Sequence, residues 1–156
     1  MSFIKAKEHL KKYGLDNKIM EFTESSATVA DAAKAIGCKE EEIAKTLSFN
    51  VKNTPILIVA AGDARIDNRK FKDEFQKKAK MLSFDEVERL IGHAVGGVCP
   101  FGINDGVLVY LDSSLKRFET VYPACGSSNS AVKLTLSELE TASEFEKWID
   151  VCKDII

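Results

Sequence analysis

Histidine is almost missing from this chain: its 156 residues hold only His9 and His93. There are four cysteines, Cys38, Cys99, Cys125 and Cys152, and no two of them form a Cys-x-x-Cys pair. Zinc-ligand spacing is therefore absent, and neither a metal site nor a cofactor is expected. Each cysteine sits among apolar or small residues, which favours buried thiols in a reducing compartment. Long apolar runs are also missing. The densest, Pro55 to Ala61, is far too short to span a bilayer. The stretch from Met1 to Leu10 lacks the apolar centre of a signal peptide. A cytoplasmic protein without membrane contact is expected. A formal net charge of −2 rules out a polycation, so any nucleic-acid contact must be local, and DNA is not an expected partner. No linker, internal repeat or low-complexity segment interrupts the sequence. One domain over residues 1–156 is the expectation.

What the chain does have is one concentrated turn-forming stretch. Gly92-His-Ala-Val-Gly96-Gly-Val-Cys-Pro100-Phe-Gly102 contains four of the nine glycines and one of the three prolines. Glycine permits positive φ and close backbone approach, and Pro100 restricts both itself and Cys99. The surrounding apolar residues argue against a flexible linker. The plain reading is a tight turn between buried strands; the functional one is a rigid loop whose backbone faces a pocket.

The rest reads as alternating short elements. Phe3, Ala6, Leu10 and Tyr13 recur at helical spacing before Gly14. Lys18 to Thr23 has strand character. Thr28 opens a helix that Gly37 ends, and Lys39 to Ile43 adds an acidic helical turn. Thr46 to Val51 alternates like a half-buried strand, and Ile56 to Ala61 reads as a strand buried on both faces. Asp67 caps a helix with Phe71, Phe75 and Ala79 on one stripe. Its other side carries Arg69, Lys70, Lys72, Lys77 and Lys78, with Lys80 beyond. A solvated helix face explains such a run, yet it is the most basic surface on offer, which makes Lys70, Lys72, Lys77 and Lys78 the candidates for a polyanionic backbone. Ser83-x-x-Glu86 is a capping box. Val107–Leu111, Glu119–Tyr122 and Ala131–Leu136 read as strands, and Ser143-x-x-Glu146 as the cap of a closing helix bearing Phe145, Trp148, Ile149 and Cys152. Consecutive strands near the C-terminus argue for antiparallel pairing. The expected fold is α+β, a mostly antiparallel, barrel-like sheet flanked by helices.

Lys45 stands at the start of a strand whose residues Leu47, Phe49 and Val51 face the core. A partly desolvated ammonium binds carbonyl or phosphate oxygen well; the plain alternative is a snorkelling surface lysine.

Ile43-Ala-Lys45-Thr-Leu47, the Gly96-Gly-Val-Cys-Pro-Phe-Gly102 loop and Gly126 in the later loop Ala124–Ser130, in that order, resemble the YbaK/ProX family. Those are free-standing aminoacyl-tRNA deacylases similar to the editing domain inserted in bacterial prolyl-tRNA synthetases. The resemblance implies a barrel-like antiparallel sheet and hydrolysis of the ester between an amino acid and the terminal adenosine of tRNA, tRNA-Pro or a related one. It implies catalytic roles for Lys45 and Gly97. It also implies substrate contacts at Thr28, Thr46, Leu47, Gly96, Val98, Pro100, Phe101, Gly102, Gly126 and Ser127. The implied partners are the aminoacyl-tRNA acceptor end and, as a second candidate, an aminoacyl-tRNA synthetase. The late loop, Cys125-Gly-Ser-Ser-Asn-Ser130, departs from members that carry more glycine or basic residues there. Two other classes stand beside this one: a thiol enzyme using Cys99 or Cys125, against which no His–Cys spacing or resolving pair is seen, and a non-catalytic module that binds an amino acid or a tRNA end.

Overall fold

The computed structural model describes residues 2–154; Met1, Ile155 and Ile156 lie outside it. In chain order its elements are α1 (Ser2–Lys11), β1 (Ile19–Glu21), α2 (Val29–Ile36), β2 (Ile43–Val51), β3 (Thr54–Ala61), α3 (Asn68–Phe75) and α4 (Phe84–Glu86), which widens into a π turn over Val87–Ile91. Then follow β4 (Leu108–Asp112), β5 (Thr120–Pro123), β6 (Ser130–Val132), β7 (Leu134–Thr135), α5 (Leu136–Ser143) and β8 (Lys147–Ile149).

The local chemistry of the sequence sets most of these boundaries. Thr28 caps α2 by accepting from the Asp31 N–H, and Gly37 ends it at φ 85°. Asp67 accepts from Arg69 and Lys70 at the start of α3. Ser83 and Glu86 form the reciprocal capping box of α4, and Gly92 stops the π turn at φ 102°. β2 and β3 are joined by Lys52 and Asn53, at φ 52° and 65°. Left-handed backbone at both central residues suits the twist of a two-residue hairpin.

The main sheet has the order β7-β5-β2-β3-β4-β8, and β1 pairs with β6 apart from it. β3 lies at its centre and is buried from Ile56 to Ala61. Leu57 and Val59 pack on one face with α1 and α5, through Ala6, Leu10, Leu139 and Ala142. Ile56 and Ile58 pack on the other with Phe49 and Phe71, whose rings lie 5.0 Å apart. The curled sheet with helices around it is the expected α+β architecture, but it is mixed rather than mostly antiparallel. β2–β5, β3–β4 and β4–β8 are parallel, while β2–β3 and β5–β7 are antiparallel. The reason is that β4 and β5, adjacent in sequence, do not pair: each returns to a different side of the β2–β3 hairpin.

Two further expectations change. The closing helix is α5, capped by the Thr135/Glu138 box. It ends at Glu144, which is left-handed at φ 52°. Residues Lys147–Ile149 are instead the edge strand β8. Ser143-x-x-Glu146 copies the capping pattern, but Ser143 is already buried in the last turn of α5. The single strand expected over Ala131–Leu136 is two, because β6 pairs with β1 and β7 with β5.

Candidate functional site

The edge of β2 is incomplete. On one side β3 pairs with it along its length. On the other, β5 pairs only at Ile43 and Ala44, and the segment after α3 pairs only near Phe49. There the Asn50 N–H donates to Lys80 and the Leu82 N–H to the Ser48 carbonyl, at 2.9 and 3.2 Å. Outward-pointing backbone groups recur every second residue, so Thr46 aims its N–H and C=O the same way as Ser48 and Asn50. No strand covers that position among the described residues.

A cavity of about 390 Å³ wraps this free edge. Lys45, Thr46 and Leu47 line it, with Thr28, Val29 and Ala32 of α2 on one side. Gly96 and Val98 of the glycine loop, and Ser130 and Ala131 of β6, also line it. The Thr46 hydroxyl is buried without a hydrogen-bond partner among the described residues. An unpaired buried hydroxyl costs stability, and in a cavity of this size it is a polar handle for an occupant. The amides of Gly96 and Val98 likewise make no hydrogen bond among the described residues.

Lys45 and Thr46 leave β2 on opposite faces, as neighbours in a strand must. The Lys45 ammonium, half-buried, donates to the Gly62 carbonyl at 3.3 Å and to the Ala64 carbonyl at the end of β3. Burial pushes its pKa down, while the nearby Asp63 opposes that shift. Asp63 is itself held by a bidentate pair with Arg117 at 2.6 and 3.1 Å. An ammonium has three N–H donors, so two carbonyls leave one for a ligand.

The glycine loop divides in two. Gly96 and Val98 reach the cavity, but Gly97 is locked: its N–H donates to Ala94 and its carbonyl accepts from the Gly126 N–H, both at 3.0 Å. A Cβ at Gly97 would lie 2.6 Å from the Ser127 nitrogen. The expected catalytic backbone group at Gly97 is thus a joint between two loops. Pro100 and Phe101 are buried away from the cavity. Gly102 and Gly126 let the backbone approach α1, where an added Cβ would meet Lys5 and Ser2 backbone at 2.5 Å. Ser127 does not line the cavity either; its hydroxyl reaches the cavity residue Ser130 at 2.5 Å.

Of the basic candidates, Lys70 is engaged by Asp150, Asp154 and the Cys152 carbonyl at 3.2, 2.7 and 2.9 Å. Lys72, Lys77 and Lys78 are exposed. α3 ends at Phe75, so Lys77 and Lys78 belong to the segment that runs on to the edge of β2, not to the helix.

The structure does bring a histidine to a cysteine. Cys99 Sγ lies 3.6 Å from His93 Nε2, both fully buried. That nitrogen is also 2.6 Å from the Phe101 carbonyl, an acceptor, so it carries the hydrogen and cannot take one from the thiol. Burial pushes the Cys99 thiol far up and the His93 imidazole down. The Cys125 thiol is pushed up to about 12 by burial. Neither thiol is prepared as a nucleophile.

Sequence reasoning missed the rim. Phe84, Met81 and Val95 line the cavity mouth at 76%, 58% and 46% exposure. Phe84 lies three residues before Val87, on the apolar stripe of its helix, and so reads as core. Its exposure follows from α4 being a single turn before the backbone widens.

Residues 23–142 match the family described as aminoacyl-tRNA editing domain. An uncharacterized protein of Bacillus subtilis strain 168, YwhH, is 53% identical over 99% of both chains. The proline–tRNA ligase of Shouchella clausii is 29% identical over 69% of this chain, which corresponds to 19% of the ligase. The crystal structure of a candidate trans-editing enzyme for prolyl-tRNA synthetase superposes with a TM-score of 0.88 at 27% identity, covering 98% of each chain.

Proposed function

The chain belongs to the aminoacyl-tRNA editing domain family, and we propose that it deacylates mischarged tRNA, tRNA-Pro or a related one, by hydrolysing the ester that holds the wrong amino acid. The observation that carries this reading is the free edge at Thr46. A backbone N–H, a backbone C=O and an unpartnered hydroxyl meet a cavity of about 390 Å³, roomy enough for an aminoacyl group with part of its ribose. A strand edge reads a peptide-like group by its main chain, and an aminoacyl ester offers an ammonium and a carbonyl in similar spacing.

The Thr46 carbonyl accepts from the substrate ammonium. Water attacks the ester carbonyl carbon, and the negative charge collects on its oxygen. The Gly96 and Val98 amides and the remaining Lys45 N–H supply donors for that oxyanion. The carbon–oxygen bond to the ribose then breaks and a water proton passes to the ribose oxygen, leaving a free amino acid and an uncharged tRNA end. The ester is already activated, so positioning and oxyanion stabilisation suffice without a protein nucleophile. Such a substrate places the work in the cytoplasm.

The test is amino-acid release from a panel of mischarged tRNAs by catalytic amounts of the protein. Release well above the spontaneous rate is expected from a tRNA-Pro or related tRNA carrying a small uncharged amino acid. A folded protein that accelerates release from no member of the panel overturns the proposal.

A further inference from the structure

Phe84 separates two hollows. On one side is the cavity described above; on the other is a shallow depression lined by Phe84, Asp85, Glu88, Arg89, Ala94 and Val95. Phe84 and Val95 belong to both. Asp85, Glu88 and Arg89 are exposed, and their side chains make no hydrogen bond or ion pair among the described residues. An exposed phenylalanine ring thus stands beside free carboxylates and a free guanidinium, at the mouth of a cavity large enough to admit an aminoacyl group.

We propose that this second hollow is the seat of the terminal adenine base of the substrate, with the base stacked on Phe84; the inference rests on the deacylase reading for the identity of the ligand. Three features point to a purine here. The ring offers a π face, on which any base stacks. The carboxylates of Asp85 and Glu88 accept from an exocyclic amine, and Arg89 donates to ring nitrogens, the pairing that an adenine edge requires. A base and an aminoacyl group share one ribose, so their seats must adjoin, as these two do across Phe84 and Val95. The approach is charged to match: exposed Lys77, Lys78 and Lys80 lie on the segment that leads directly to Met81 and Phe84. Phosphates preceding the terminal nucleoside would lie along it.

The probe is a short single-stranded RNA ending in CCA that carries an amino acid through a non-hydrolysable amide, together with the same RNA ending in 2-aminopurine. With wild type, 2-aminopurine fluorescence is expected to be quenched on binding. Phe84→Tyr keeps the quench; Phe84→Ala abolishes it and weakens binding of the adenine-ended RNA by about tenfold or more, from the usual strength of one base–aromatic stack. Replacing the terminal adenine by purine, which lacks the exocyclic amine, weakens wild-type binding, and Asp85→Ala with Glu88→Ala, which leaves no side-chain acceptor, removes that difference. An undiminished quench and affinity in Phe84→Ala overturns the proposal. Binding is read without turnover, so a wild type that quenches the probe but hydrolyses nothing refutes the deacylase reading alone.

Discussion

At the scale of single residues, the site turns on two neighbours that do different things. Thr46 presents its main chain and an orphaned hydroxyl to the cavity. Lys45 braces the end of β3 through the Gly62 and Ala64 carbonyls and has one N–H to spare. Both duties are lost in Lys45→Ala. Losing one preorganised donor to an oxyanion typically slows turnover by about 10²–10³. Losing hydrogen bonds from a charged group costs about 1.5–3 kcal/mol, and each kcal/mol lowers Tm by roughly 2–4 °C in a chain of this size. Single-turnover deacylation and Tm should therefore both fall in Lys45→Ala. Lys45→Arg should recover part of the stability but little of the rate, because the planar guanidinium cannot replace a compact ammonium. A near-normal rate in Lys45→Ala would remove the lysine from the chemistry and leave only the brace. The position of Lys45 in a strand was legible from Leu47, Phe49 and Val51 behind it. Its engagement by two carbonyls from the turn that follows the next strand was not, because that contact depends on tertiary register.

Among the elements, the glycine loop shows how one motif spreads its residues over different places in the fold. Four glycines in eleven residues do mark a bent loop, but only Gly96 of them lines the cavity. Gly97 joins this loop to the later one through Gly126, and Gly102 and Gly126 admit the backbone of α1. Close approach of backbone to backbone leaves the same glycine signature as close approach to a ligand. The C-terminal misreading has a similar cause: Thr135 and Ser143 both stand three residues before a glutamate, and burial rather than pattern selects the true cap. The joint makes a direct prediction. In Gly97→Ala the new Cβ meets Ser127 and Gly126 backbone at 2.6–2.9 Å, and backbone cannot swing aside as a flexible side chain does. Overpacking of this kind costs about 1–3 kcal/mol, a Tm loss of roughly 2–12 °C. Gly96 shifts with the loop, so KM for aminoacyl-tRNA should rise as well. An unchanged Tm would show that the two loops separate freely.

Over the whole molecule, mixed pairing creates the site. A fully paired antiparallel sheet would have covered both sides of β2. Here β5 runs parallel and leaves after two residues, the 80–82 segment returns lower down, and Thr46 is left open between them. The sequence showed most of the strands, though not β8 or the break between β6 and β7, and their order depends on long-range partners that no local pattern encodes. The return segment also settles which lysines are free to meet a polyanion. Lys70 is held by Asp150 and Asp154, while Lys72, Lys77 and Lys78 are exposed on or just after α3, upstream of the cavity mouth. In a chain of net charge −2, affinity for tRNA must come from such a local strip. Each phosphate contact contributes a slope of about 0.7 to 0.9 to the fall of log K with log salt. Changing Lys72, Lys77 and Lys78 together to Glu should weaken tRNA binding at low salt and flatten that slope by roughly 2 if all three touch phosphate. Tm should hold, because none of the three is in an ion pair among the described residues. Lys70→Ala should do the reverse, lowering Tm while leaving the slope in place. A triple variant with wild-type Kd and slope would mean that the tRNA approaches the mouth from the other side and that this strip is solvated surface.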